Sequence, residues 1–143
     1  MSVSEIRMVA FGDPKRNDNA FTISSYSNSY GAQKRFSHCG DEESFSKFDH
    51  GSIDWRGSTN GIHWLINSAE TILSGDSPKS AVGAGMTFGE LEGAKMVMIV
   101  EVPQNLEDMS KSWGSVISRL RQTHVLFITP RALDAIYKLE QIL

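Results

Sequence analysis

The residue types best suited to catalysis are concentrated in and just after the stretch 27–57 of the sequence. A cysteine thiolate activated by a neighbouring imidazole, with a carboxylate that orients the ring, is a common composition of a nucleophilic site. The residues of these types are Cys39, His38, His50, His63 and Asp49. Their spacing matches no catalytic signature, so they are candidates for a small hydrolase or transferase and do not identify one.

The same residues lack the spacing of a metal site. Cys39 is the single cysteine of the chain, so neither an internal disulfide nor a multi-cysteine zinc site is available. The glycine-rich run 83–89 departs from the Gly-x-Gly-x-x-Gly pattern and is predicted to precede a strand instead of opening a helix. We therefore expect no metal and no cofactor.

A tryptophan in an unexpected position points to a binding surface. The segment that follows Asn60 is predicted to form an amphipathic helix, and at about 100° per residue Trp64 points away from its apolar stripe. Either the aromatic-rich segment 27–57 covers Trp64, or Trp64 is exposed as an anchor for another chain or a ligand. Trp55, at the end of that aromatic-rich segment, is a second candidate for the same surface.

A further candidate site lies where two predicted parallel strands end. Ligands of open α/β sheets bind outside the carboxyl ends of the strands, here at 101–105 and 129–131. Asn105 follows the first strand, and Thr129 and Arg131 flank the start of a helix whose free N–H groups favour an anion. The alternative is that Thr129 only caps the helix and that Arg131 is solvated.

The first half of the chain contains the less regular of the predicted elements. Two short apolar runs, 6–11 and 21–26, are separated by turn-forming residues and predict a β-hairpin with a long loop. The segment 27–57 is predicted to be irregular and pinned to the core by its phenylalanines. A helix then runs from Asn60 to Ser74, and the glycine-rich segment 75–93 is predicted to be irregular.

The second half has stronger patterns. Nearly continuous apolar residues at 95–102 and 123–129 predict two strands buried on both faces. An amphipathic helix beginning near Asn105 lies between them, so the three elements form a βαβ unit with parallel strands. Thr129 followed by Pro130 is a helix start, and the last helix runs to the end of the chain.

Together these elements predict an α/β (α+β) fold in one domain over residues 1–143. A mixed sheet of about four or five strands contains the N-terminal hairpin and the C-terminal βαβ unit, with about three main helices packed on it. A net charge of -3, from 14 basic and 17 acidic residues, makes nucleic-acid binding unlikely. Without an apolar run of membrane-spanning length, we expect a cytoplasmic protein that contacts no membrane.

These patterns favour a non-enzymatic function over catalysis. Folding alone accounts for the strongest patterns, and no catalytic spacing is present. We therefore expect a protein-interaction or assembly module that acts through an exposed aromatic face and that binds a protein partner or self-associates. The alternative is the small hydrolase or transferase that would use Cys39 or a histidine with nearby carboxylates.

Overall fold

The computed structural model of the chain describes residues 5–13, 19–30, 33–37, 51, 53–101 and 113–142. Within these ranges the strands are β1 (Arg7–Phe11), β2 (Gln33–Ser37), β3 (Trp64–Ser68), β4 (Lys95–Val100) and β5 (Val125–Ile128). The helices are α1 (Asn19–Ser29), α2 (Trp55–Thr59), α3 (Ala69–Leu73), α4 (Asp76–Leu91), α5 (Trp113–Leu120) and α6 (Pro130–Ile142). The alternation of strands and helices confirms the α/β class.

The five strands form one sheet in the order β2-β1-β3-β4-β5, and every neighbouring pair is parallel. The predicted strand count and the parallel pairing of β4 with β5 are confirmed. The predicted N-terminal hairpin is wrong, because the residues of its second strand lie within α1. The sheet is therefore parallel throughout instead of mixed.

The sheet is buried on both faces over its central strands. Val9, Leu65 and Met98 belong to the core on the major face, which also receives apolar residues from α2 to α6. Met8 and Ile66 belong to the core on the minor face, where Ala20 of α1 joins them. Because adjacent residues of a strand point to opposite faces, burial of both faces requires unbroken apolar runs.

This double burial explains why the predicted helix 60–74 is wrong over its first half. Leu65 and Ile66 are neighbours in β3 that face opposite cores, whereas the helical pattern placed them on one stripe. The helical residues begin only at Ala69, after Ser68 caps α3 by accepting a hydrogen bond from the Glu70 backbone N–H at 3.2 Å. The predicted end of the helix at Ser74 is confirmed.

The prediction of an irregular segment over 75–93 is also wrong, because residues 76–91 form α4. The glycines of this helix allow it to approach its neighbours closely. A Cβ at position 85 would lie 2.9 Å from ring carbons of Trp55, and one at position 89 would lie 3.0 Å from the methyl carbon of Met96. The glycine density therefore reflects helix packing, and the helix ends before Gly93, which has a φ of 73°.

The segment 27–57, predicted to be irregular, is partly regular. It contains the end of α1, all of β2 and the beginning of α2, while residues 38–50 lie outside the described ranges. The C-terminal predictions agree better with the structure, since β4, β5 and the start of α6 lie where expected. Among the described residues, no helix is long and apolar enough to span a membrane.

Candidate functional site

Polar side chains meet at the carboxyl end of the sheet, beside the point where the chain reverses its direction of winding between β1 and β3. The Asn19 side-chain amide donates to Glu101 Oε2 at 3.1 Å, and its backbone N–H donates to Glu70 Oε2 at 3.4 Å. Asp13, which follows β1, is almost fully buried. Ligands of this fold class bind at such switch points.

The carboxyl-end cluster connects α1 to the sheet. Both carboxylates are engaged by Asn19, which ties the start of α1 to the ends of β3 and β4. Two acidic side chains disfavour a phosphate group, and the described residues contain no group of ligands suited to a metal ion. Asn19 and Glu70 were not among the predicted site residues, because the sequence patterns of β3 and α1 predicted the wrong elements.

Most of the catalytic candidates lie outside the described residues. The range 38–50, which is not described, contains Cys39, His38, His50 and Asp49. The binding candidate Asn105 lies in a second range that is not described, 102–112. The hydrolase or transferase hypothesis therefore stays a prediction. His63 is described, and it is half-buried with Nδ1 accepting a hydrogen bond from the Arg7 backbone N–H at 3.0 Å.

His63 has a counterpart that the sequence-based analysis did not single out. His124 also precedes a strand, and its Nδ1 accepts from the Met96 backbone N–H at 2.9 Å. In both cases the imidazole satisfies a backbone donor at the amino end of the neighbouring strand. The described histidines thus bind backbone groups of the sheet, and the only signal in the sequence is a histidine directly before an apolar run.

Replacing His124 with alanine should lower the free energy of unfolding by about 1 kcal/mol, because the half-buried Met96 N–H loses its acceptor. His124→Asn should retain most of that stability, since the asparagine Oδ1 occupies nearly the position of Nδ1. Urea unfolding of the three proteins measures both differences. Equal stability of the alanine and asparagine variants would show that the hydrogen bond contributes nothing.

Neither tryptophan candidate forms the predicted exposed surface. Trp64 is the first residue of β3 and is half-buried against the minor-face core, so it is not part of the helix from which its outward direction was inferred. Trp55 is 4% exposed in α2. Its ring meets Phe11 edge to face, with centroids 5.9 Å apart. Trp55 is therefore a core residue.

Thr129 and Arg131 are located where expected, at the start of α6. Thr129 Oγ1 accepts a hydrogen bond from the Ala132 backbone N–H at 3.2 Å, which is the geometry of a helix cap. Arg131 is exposed. This arrangement matches the alternative stated from sequence, in which Thr129 caps the helix and Arg131 is solvated.

The described residues do contain an exposed apolar surface, and it lies at the β5 edge of the sheet. We call it the edge face, and it consists of Leu126 and Phe127, which are 43% and 57% exposed. Both residues belong to β5, and Leu133 and Tyr137, which are 56% and 62% exposed, lie four residues apart on one side of α6. The prediction that β5 is buried on both faces is therefore wrong.

The exposure of β5 follows from its position. β4 is its sole neighbour among the described strands. By register, Phe127 pairs with Ile99 and so lies on the minor face, whereas Leu126 pairs with Met98 and lies on the major face. On the minor face α1 packs mainly on β1, β2 and β3, whereas β5 lies at the far edge of the sheet.

Comparisons with known proteins identify the fold and no family. No protein-family model matches the chain, and no curated protein matches it. The crystal structure of 2-dehydro-3-deoxygluconokinase from Thermotoga maritima is similar, with a TM-score of 0.59 and 11% sequence identity. The match covers 92% of this chain and 48% of the kinase, so the chain spans about half the length of that structure. At this identity the similarity shows that the two chains share an α/β fold.

Proposed function

We propose that this chain is an assembly module that pairs with a second copy of itself along β5. The observation that carries the proposal is the edge face, an uncharged edge strand with an exposed apolar side chain on each of its two sides. An edge strand presents unpaired backbone N–H and C=O groups, and natural proteins usually protect such edges from pairing. β5 carries none of the charged side chains that protect many such edges.

The two edges of the sheet differ in charge. β2, at the opposite edge, contains Lys34 and Arg35, and charged residues of this kind discourage strand pairing. No Asp, Glu, Lys or Arg occurs from Thr123 to Pro130 around β5. This contrast supports β5 as the edge that pairs and argues against head-to-tail pairing of β5 with β2.

Two copies related by a twofold axis would place their β5 strands antiparallel, which joins the two sheets into one. A register centred on Phe127 puts both phenylalanine rings on the minor face, opposite one another. Aromatic cross-strand pairs stabilise antiparallel strands, and twofold dimers are the commonest oligomers. Leu133 and Tyr137 are further exposed apolar side chains, on the helix that follows β5.

The test is the oligomeric state of the chain and of a Phe127→Lys variant. We expect the wild type to dimerise and the variant to dissociate at least about tenfold more readily, because two ammonium groups would face each other across the strand pair. Phe127 is 57% exposed, so the fold should tolerate lysine there. Sedimentation velocity over a concentration series measures the dissociation constants.

Leu91→Lys is the matched control. Leu91 is 78% exposed at the end of α4 and does not belong to the edge face, so its replacement should leave the dimer intact. A wild type that remains monomeric at high concentration would rule out self-pairing. Equal effects of the two lysine variants would show that the edge face is not the interface.

We also infer that the module acts in the cytoplasm. The inference is supported by the single cysteine, which offers no internal disulfide of the kind that secreted domains commonly use. Fractionation of cells that express the chain from its own source tests it, and recovery in an extracellular or membrane fraction would contradict it.

A further inference from the structure

A cavity of about 240 Å³ lies at the amino end of β4 and β5, at the opposite end of the sheet from the carboxyl-end cluster. Met86 of α4 and Met96 of β4 form part of its lining, and each is 1% exposed. Methionine side chains are flexible and polarisable, so they adapt to apolar groups of different shape. The cavity therefore has an apolar floor, and its volume suits a ligand smaller than a typical drug-sized molecule.

Two opposite charges line the same cavity without neutralising each other. Glu90 is exposed at the end of α4, and Arg121 is exposed in the turn between α5 and β5. Within the described part of the chain, neither side chain forms an ion pair within 4.0 Å. A carboxylate and a guanidinium that share a cavity but stay apart leave room for a ligand with two charges of its own.

Two hydrogen-bond donors are oriented by the structure on the Arg121 side. His124 Nδ1 accepts from the Met96 backbone N–H, so the proton of the neutral ring is carried by Nε2, which is left to donate. Gln122 Oε1 accepts from Arg119 Nη1 at 3.2 Å, which leaves the amide NH₂ group of Gln122 as a donor. Both His124 and Gln122 line the cavity.

We propose that this cavity binds a small zwitterion, an α-amino acid with an apolar side chain. Its carboxylate would be held by Arg121 together with the donors of Gln122 and His124, and its ammonium group by Glu90. The apolar side chain would lie on Met86 and Met96. The cavity thus offers a matching group for each of the three parts of such a ligand: the carboxylate, the ammonium group and the apolar side chain.

L-Leucine is the probe, and the full chain carrying ¹³C-labelled methionine methyl groups is the receptor. Titration should shift the Met86 and Met96 methyl signals in a saturable manner at millimolar concentration. Arg121→Gln and Glu90→Gln should each weaken binding by about tenfold or more, because each removes a charged hydrogen-bonding partner. Both residues are exposed, so unfolding temperatures of the variants should match that of the wild type.

Control variants separate the specific roles of Glu90 and Arg121 from the general effect of changing the net charge of the protein. Asp76→Asn and Arg56→Gln neutralise exposed side chains that do not line the cavity, and they should leave the affinity unchanged. Leucine methyl ester lacks the carboxylate and 4-methylpentanoate lacks the ammonium group, so each should bind about tenfold more weakly than leucine. Arg121→Gln should remove the preference over the ester, and Glu90→Gln the preference over the acid.

Three outcomes would overturn the proposal. They are an absence of methyl shifts, equal binding of leucine and both analogues, and shifts that persist undiminished in Arg121→Gln and Glu90→Gln. The proposal is independent of self-pairing through the edge face. The Phe127→Lys variant should therefore bind leucine as the wild type does, whatever its oligomeric state.

Discussion

Replacement of Trp55 by alanine should lower the free energy of unfolding by about 3–5 kcal/mol, the range expected for removing a buried aromatic side chain. Trp55 is 4% exposed and joins α2 to both α4 and the sheet. Its ring contacts Phe11 edge to face, and Gly85 provides the space on the other side. Alanine would leave a cavity lined by rigid elements, and these cannot close over it.

The measurement is chemical denaturation, with Trp55→Phe as the informative companion. The indole Nε1 of Trp55 is buried and has no hydrogen-bond partner among the described residues. Replacement by phenylalanine therefore removes no hydrogen bond. It should lower the free energy of unfolding by about 1–2 kcal/mol, much less than replacement by alanine. Arg56→Ala, on the exposed side of the same helix, should change stability by less than about 0.5 kcal/mol. A loss below 1 kcal/mol for Trp55→Ala would contradict the core assignment.

Gly85→Val should also destabilise the protein, by about 2–3 kcal/mol, because the new side chain has no room. A Cβ at this position already lies 2.9 Å from two ring carbons of Trp55, and the whole ring is held by the core around it. The ring must shift or α4 must move away from α2. Thermal unfolding of the variant measures the cost.

Gly114→Ala is the control that separates packing from helix propensity. Gly114 is exposed in α5, and nothing lies within 4 Å of a Cβ placed there. Alanine should stabilise the protein by about 0.5–1 kcal/mol, because glycine is the poorer helix former.

In the double variant Trp55→Ala, Gly85→Val, the loss of unfolding free energy should be smaller than the sum of the losses in the two single variants, since each change relieves the other. Strict additivity would show that Gly85 does not accommodate Trp55.

The second half of the chain could be predicted well because its patterns are local. The strands β4 and β5 are bounded by polar residues or turns, and Thr129 with Pro130 marks a helix start independently of the rest of the fold. The parallel pairing of β4 and β5 followed from the helix between them. These predictions required no knowledge of distant contacts.

The first half could not be predicted in the same way, because long-range packing decides its structure. Ile23 belongs to the apolar run 21–26, which resembles a strand in sequence, yet it lies in α1 and packs with Ala20 on the minor face. Gly85 and Gly89 suggest a loop unless Trp55 and Met96 are known to lie against them. The helical spacing of apolar residues around Leu65 arose because the strand β3 is followed directly by the helix α3.

The edge face was missed for a different reason. Leu126 and Phe127 belong to an apolar run that predicts a buried strand, and their exposure depends on the order of strands in the sheet. The expected aromatic surface was assigned to Trp64 and Trp55, which pack against the two cores. Phe127, the exposed aromatic residue of the edge face, was not among the predicted residues.

The order of strands also has a consequence for how the chain folds. Arg7 and His63, which join β1 to β3, are 56 residues apart, whereas Met96 and His124, which join β4 to β5, are 28 apart. Closing the longer loop costs about 0.6 kcal/mol more entropy. During synthesis, moreover, the apolar strand β1 leaves the ribosome long before β3 exists to cover it. Until residue 68 has been made, the nascent chain therefore exposes the edge of β1 that β3 later covers, and only β2 is available to pair with its other edge.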